Sequence, residues 1–401
     1  MRRKPVKRTT AFLDTVRAHL GETDRLLAVL AVILALMGIV IIASAVHTTM
    51  EGFGIKYIVI QSAAVLMGVG GMLILSALDY ERYLKKLCIP LFLFTCALLA
   101  ATLVIGTGEG SNKSWIRFSF LPIGIQPSEF AKIFFICTFS YHLASVRQKL
   151  HKIGHLLALC MHFGIVCGLV LLQGDLGSAL VFVFIFLCMM FAAGVKLRYF
   201  LFSAALVLGA SPFLWERLSY YQKQRILVGF TPEADPQGFG YQVLRAKEAI
   251  ANGGLWGMGY LEGLLSQNPA ASALPKRHTD MIFAVLAEEF GFVGVCVYLL
   301  LYAALVIRIL WVASRARGYM GSYICIGAAA VFVFQGLENL GMCMGLLPVI
   351  GLTLPFLSYG GSSALSLFLL LGVVESVAAH RVNIIPNGMM CCDRTPNTLI
   401  S

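Results

Sequence analysis

"LLAVLAVILALMGIVIIASA" fills residues 26–45 without one charged side chain. About 20 apolar residues in a helix are what the hydrocarbon core of a bilayer requires. A second such block, "LCIPLFLFTCALLAATLVIG", fills residues 87–106. Of the 401 residues, 59% are hydrophobic and 13% charged, against about 25% charged in soluble globular proteins. The chain reads as an integral membrane protein. Strand-like alternation is absent from the apolar blocks, which argues against an outer-membrane barrel.

Working outward gives ten candidate spans, near residues 26–45, 57–78, 87–106, 126–145, 155–173, 179–195, 200–214, 280–306, 321–345 and 362–379. The predicted fold is an all-α polytopic bundle. A basic arm (1–25) precedes a ten-helix membrane domain (26–380), and a tail (381–401) follows. A large loop (215–279) joins spans seven and eight. With the N-terminus inside, inner segments hold 20 of the 31 Lys and Arg residues; outer segments hold ten, seven of them in that large loop. Long loops are largely exempt from the positive-inside rule, so the short ones set an N-in, C-in orientation. The first apolar run is too long for a signal-peptide core and reads as a retained span.

The net charge of +11 follows from this topology and from contact with anionic lipid, and calls for no nucleic acid. None of the 11 cysteines falls in a predicted outer loop, and Cys391 and Cys392 are adjacent, which is not a ligand spacing. No disulfide framework or zinc site is indicated.

Two outer loops exceed what connection needs. In the 215–279 loop, "GYQVLRAKEAIAN" reads as a short amphipathic helix with Val243, Ala246 and Ile250 on one face. It ends at Gly253–Gly254 and suits a membrane surface. The other is "GTGEGSNKSWIRFSFLPIGIQPSEF", between spans three and four. A third segment, "LLPVIGLTLPFLSYGGSS", is predicted to dip into the membrane, which non-helical backbone does only where protein or water surrounds it.

Ionisable residues inside spans are functional candidates by default. Glu129 and Lys132, three apart, can pair on one helix face; with Asp175 in "QGDLGS" they read as a supporting polar network. Glu288 and Glu289 read as buried against bundle polar groups, and Glu338 precedes Asn339 near the end of span nine. Asp280 stands apart. In "LPKRHTDMIFAVLAEEFGFVG" (274–294) it follows Lys276, Arg277 and His278 and begins span eight. A carboxylate in a first helical turn is electrostatically favoured, but a helix cap leaves the basic trio unexplained. Cations at the water–lipid boundary suit a lipid-linked phosphate or pyrophosphate. No nucleotide loop, HExxH or GxSxG motif is present, and the glycines of "NGGLWGMGYLEG" read as tight turns.

These stretches resemble the SEDS family of polytopic membrane proteins, and the likeness covers nearly all ten spans. "IQPSEFAK" resembles the family's Q-P-S-E-x-x-K, and "SNKSWIRF" supplies its Trp as Trp115. "QGDLGSA" resembles Q-P-D-L-G with Gly174 in place of proline, and the Asp280 segment resembles H-T-D-F-I-F with Met281 in place of Phe. "GLLPVIGLTLPFLSYGGSS" is a near-complete copy of the family's most distinctive stretch, whereas Glu338 stands where an apolar residue is usual.

The resemblance implies a peptidoglycan glycosyltransferase of the bacterial cytoplasmic membrane. It would polymerise the lipid-linked disaccharide-peptide lipid II on the outer face and release undecaprenyl pyrophosphate. The family's key carboxylate falls on Asp280. Lys276, Arg277, His278, Arg245, Lys247, Trp115, Ser358 and Ser362 are candidate substrate contacts. A pyrophosphate leaves readily, so one base with cations suffices, unlike a glycosidase that must protonate an alkoxide. Flanking cations weaken a carboxylate as a base; either bound substrate offsets this, or Asp280 orients the hydroxyl or holds a divalent cation, Mg or Mn. A class B penicillin-binding protein is the implied partner. The motifs lean to the elongation branch represented by RodA. The alternatives are the division branch represented by FtsW, a lipid II flippase, and a scaffold in which Asp280 is dispensable.

Overall fold

The computed structural model describes residues 23–48, 53–108, 113–117, 124–217, 220–238, 240–270 and 273–381. The predicted arm and tail lie outside the described residues except for 23–25 and Arg381. Helices α1 (Arg25–His47), α2 (Phe53–Ser76) and α3 (Tyr80–Ile105) are followed by a small antiparallel ribbon, β1 (Ile116–Arg117) and β2 (Gly124–Ile125). In it Ile116 faces Ile125 and Arg117 faces Gly124. Next come α4 (Pro127–Val146), α5 (Ile153–Leu172), α6 (Leu176–Ala192), α7 (Leu197–Arg217), α8 (Tyr220–Phe230) and α9 (Tyr241–Gly253). The long α10 (Ile282–Ser314), α11 (Tyr319–Cys343) and α12 (Gly361–Ala379) complete the order.

Each apolar segment read from the sequence falls on a helix. Seven of these, α1, α2, α3, α5, α10, α11 and α12, are long and apolar enough to cross a membrane. The apolar stretches of α6 and α7 are shorter, and α4 carries Glu129 and Lys132 near its start.

Caps and close approaches set the packing. Asp24 caps α1 by accepting from the Leu27 N–H at 3.2 Å, the usual role of Asp there. The same carboxylate takes the Arg308 guanidinium of α10 at 2.8–2.9 Å, tying the start of α1 to α10. α11 and α12 are mostly buried. α12 lies along α2 so closely that a Cβ on Gly372 would sit 2.8 Å from the Met72 Cα, the small-residue contact by which membrane helices approach. α7, by contrast, is exposed along nearly its whole length. Its side chains are mostly apolar, so a lipid surround carries little penalty for that exposure.

The eighth apolar segment is not one straight helix. Gly291 has φ 64° and ψ −167°, a conformation essentially confined to glycine. The break frees backbone groups, and the "NGGLWGMG" loop satisfies them. Phe292 and Val293 donate to the Gly254 and Leu255 carbonyls, while Met258 and Gly259 donate to those of Glu288 and Glu289. α9 buries Val243, Ala246 and Ala249 and packs on α10, so the amphipathic face foreseen for a membrane surface is covered by protein.

Gly291→Ala should therefore cost at least about 1–3 kcal/mol from the backbone conformation alone, because its Cβ would also meet the Gly257 nitrogen at 2.2 Å. Thermal unfolding in detergent should show a lowered midpoint. Gly70→Ala, where nothing lies within 4 Å, should show none.

Candidate active site

The segment before α10 is fixed by its own turn. Lys276 adopts a left-handed conformation with φ 51°, and its carbonyl accepts both the Thr279 and the Met281 N–H at 3.1 Å. This turn delays the helix to Ile282, with Met281 as N-cap and no side-chain cap bond. Asp280 thus stands just before the first helical turn that the sequence assigned to it, and it is not the cap.

The "LTLPFLSYGG" segment closes over the same turn. Ser358 Oγ donates to the Thr279 carbonyl at 2.7 Å, and the Tyr359 N–H donates to that of His278 at 2.9 Å. Asn339 Nδ2 bonds both the Asp280 and the Leu352 carbonyls, at 2.9 and 2.8 Å. The Asp280 side chain is 11% exposed, with Lys276 Nζ, itself half-exposed, 3.5 Å from Oδ2. The sequence puts this carboxylate at the start of span eight, beside the water–lipid boundary. It lies under the 350–359 segment, a Cβ on Gly351 falling 3.6 Å from Oδ2.

The basic trio does three different things. Lys276 reaches Asp280. Arg277 is buried and donates to the Ser266 and Asn268 carbonyls and to Thr48 Oγ1 at 2.7, 2.8 and 3.1 Å, which pins the loop to the end of α1. His278 packs against the rings of Tyr57 and Tyr359, which also touch each other. Burial, and then Arg277 beside it, push its imidazole below the usual 6.5. Arg245, half-buried, and Lys247, exposed, lie on α9 in ion pairs with Glu248 and Glu233, and such surface pairs open at little cost.

Ser358 and Ser362 hold the fold. Ser358 Oγ also accepts from the Leu354 N–H, while Ser362 Oγ donates to the Gly124 carbonyl and accepts from the Gln126 N–H. Trp115 lies against Gly124 and bridges to Thr107. Around the start of α4, Lys132 and Glu129 form a buried ion pair at 2.8 Å, and Glu129 also accepts from Ser366 Oγ of α12. Asp175 has no ion pair to Lys132. It caps α6 through the Ser178 N–H and joins α4 through Gln126 Nε2 and Ser128 Oγ. Glu288 and Glu289 are buried as expected. Glu288 accepts from the Leu265 and Ser266 N–H groups and Asn252, and Glu289 from Ser44, Ser266 and Gln267.

The arrangement offers an ionisable oxygen and a half-exposed cation on a turn held from three sides. Among the described residues no group of three or more His, Cys, Asp or Glu could hold a metal ion. Sequence reasoning missed Gln61, whose Oε1 accepts from the Gly360 N–H at 3.1 Å. A lone polar residue within the apolar "IVIQSAAV" was the available signal.

A family model described as the FtsW, RodA and SpoVE cell cycle protein matches residues 24–383. The chain is 33% identical to the peptidoglycan glycosyltransferase MrdB of Escherichia coli K12, covering 94% of this chain and 97% of that one. It is also 33% identical to a probable peptidoglycan glycosyltransferase FtsW of Trichlorobacter lovleyi, over 90% and 94%. Among solved structures it resembles the rod shape determining protein RodA of Thermus thermophilus, with TM-score 0.65, 30% identity, and 90% and 97% covered. It also resembles a chain from a peptidoglycan synthase complex described as coordinating polymerization and crosslinking, with TM-score 0.75, 31% identity, and 89% and 97% covered.

Lys132→Met should cost about 3–5 kcal/mol, because it strands the Glu129 carboxylate without its ion-pair partner. Adding Glu129→Met should restore most of that loss, as replacing both partners of a buried pair often does. Unfolding midpoints of the single and double variants in detergent provide the check.

Proposed function

The chain belongs to the FtsW, RodA and SpoVE family of cell cycle proteins, and we propose that it is a peptidoglycan glycosyltransferase that joins lipid II units into glycan strands at Asp280. The seven apolar helices of membrane-crossing length among its described residues make it a multi-pass membrane protein. The proposed membrane is the bacterial cytoplasmic one, with ten spans, both termini inside and the 215–279 loop outside.

The carrying observation is the Asp280 carboxylate on a locked turn, with Lys276 at 3.5 Å. Asp280 takes the proton from the acceptor's sugar hydroxyl, and the oxygen forms its new bond to the donor's anomeric carbon. The bond from that carbon to the diphosphate oxygen breaks, and the electron pair leaves on undecaprenyl pyrophosphate. Lys276 is the cation best placed for that diphosphate; Arg245 and Lys247 are further candidates once their surface pairs open. Arg277, His278, Ser358 and Ser362 hold the turn and its cover in place, and Glu129, Lys132 and Asp175 brace the helices around it.

A class B penicillin-binding protein is the proposed partner, a reading supported by the likeness to the synthase complex chain. The motifs favour a role in elongation, and identity is equal, 33%, to MrdB and to FtsW. A tagged protein at the side wall supports that role, and one confined to the septum overturns it.

Asp280→Asn should lower glycan polymerisation at least about a hundredfold, the usual loss for a general base, with an unchanged unfolding midpoint. Lys276→Ala should lower it less. The assay uses purified protein, with its partner, and lipid II in detergent. A flippase lengthens no glycan where no membrane separates two sides, so absence of product from the wild type removes the polymerase reading.

A further inference from the structure

Gln335, Glu338 and Asn339 lie three and four positions apart on α11 and share one face. They are 0%, 3% and 0% exposed. Five of their polar atoms have no hydrogen-bond partner: Gln335 Nε2 and Oε1, both Glu338 oxygens, and Asn339 Oδ1. Four are acceptors and one is a donor. Buried polar groups are nearly always satisfied, and a cluster so short of donors invites positive charge.

The cluster adjoins the proposed catalytic carboxylate. Asn339 and Cys343, on the same helix as Glu338, both donate to the Asp280 carbonyl. The Ile350 N–H lies near Glu338 but closes no hydrogen bond to it, and Gly351 lies beside Asp280 Oδ2.

The geometry points to a divalent-cation subsite, for Mg²⁺ or Mn²⁺, between Asp280 and Glu338, completed by the Gln335 and Asn339 amide oxygens and by water. Such cations are hard and prefer oxygen, and Mg²⁺ is ordinarily held by one or two carboxylates with waters and substrate phosphates. Two carboxylates therefore suffice without a larger acidic cluster. Glu338 stands where the family resemblance puts an apolar side chain, so the subsite belongs to this chain. That the cation would also meet the lipid diphosphate rests on the polymerase reading; cation binding itself does not.

The test strips the purified full-length chain with EDTA and titrates it with Mn²⁺ in detergent without substrate, reading free Mn²⁺ by electron paramagnetic resonance. The wild type should take up one Mn²⁺ saturably. Glu338→Gln and Glu338→Val should each weaken uptake about tenfold or more, as loss of a ligand or its support does, with unchanged unfolding midpoints. Glu81→Gln, an exposed acid paired with Lys85, should bind like the wild type. Wild-type uptake that both Glu338 variants match overturns the subsite. So does a wild type that polymerises glycan yet binds no Mn²⁺, water or a shared proton then serving the acceptors. A chain that binds Mn²⁺ through Glu338 but never lengthens glycan instead overturns the polymerase reading.

Discussion

Backbone N–H and C=O groups cannot stay unpaired in hydrocarbon, and this chain breaks its helical regularity in two places where that constraint bites. One is the break at Gly291, the other the non-helical run from Met344 to Gly360. Each is answered by a second irregular segment. The glycine loop at 253–259 takes up the backbone groups freed at Gly291; in the Leu352–Tyr359 cover the Tyr359 N–H goes to the His278 carbonyl and the Leu352 carbonyl takes Asn339 Nδ2. The candidate site sits at the second of these junctions, where an irregular chain can present a carboxylate and still satisfy its own amides.

The helices were legible because crossing hydrocarbon leaves an unmistakable run of apolar residues. The α9 helix was legible from its periodicity and from the glycines that end it. The Gly291 break was not, since "FGFVG" lies within an apolar run and its partner loop is remote in sequence. Lys276 and Arg277 show the same limit. Adjacent in the chain, they looked interchangeable as phosphate ligands. The positive φ at Lys276 leaves one half-exposed beside Asp280, and the other is spent on the Ser266 and Asn268 carbonyls. Backbone handedness at a non-glycine residue is a tertiary outcome that local sequence does not announce.

The Glu129–Lys132 pair shows why a motif can matter without touching substrate. Burying two charges costs several kcal/mol per ion, which their attraction repays only with good geometry and further hydrogen bonds. Glu129 gains one from Ser366, on the helix whose first turn also holds Ser362 against Gly124. The pair fixes where α12 begins relative to α4. The start of α12 in turn sets where the cover over Asp280 ends. A requirement for these residues follows from register, with no chemical role assigned to them.

The presence of Glu338 beside Asp280 invites a different comparison, with the paired carboxylates of glycosidases. That analogy fails on the leaving group. A glycosidase needs its second carboxyl as an acid because the departing oxygen would otherwise be an alkoxide, whereas a diphosphate leaves as a stable anion. What the departing group needs is positive charge, and a second carboxylate supplies none by itself. Two carboxylates near one site, with surplus acceptor oxygens, fit the reaction only when something positive lies between them. Lys276 sits 3.5 Å from Oδ2 of Asp280, yet both oxygens of Glu338 go unpartnered. The demand for charge is thus greatest at Glu338, which is where the chemistry would have a cation sit.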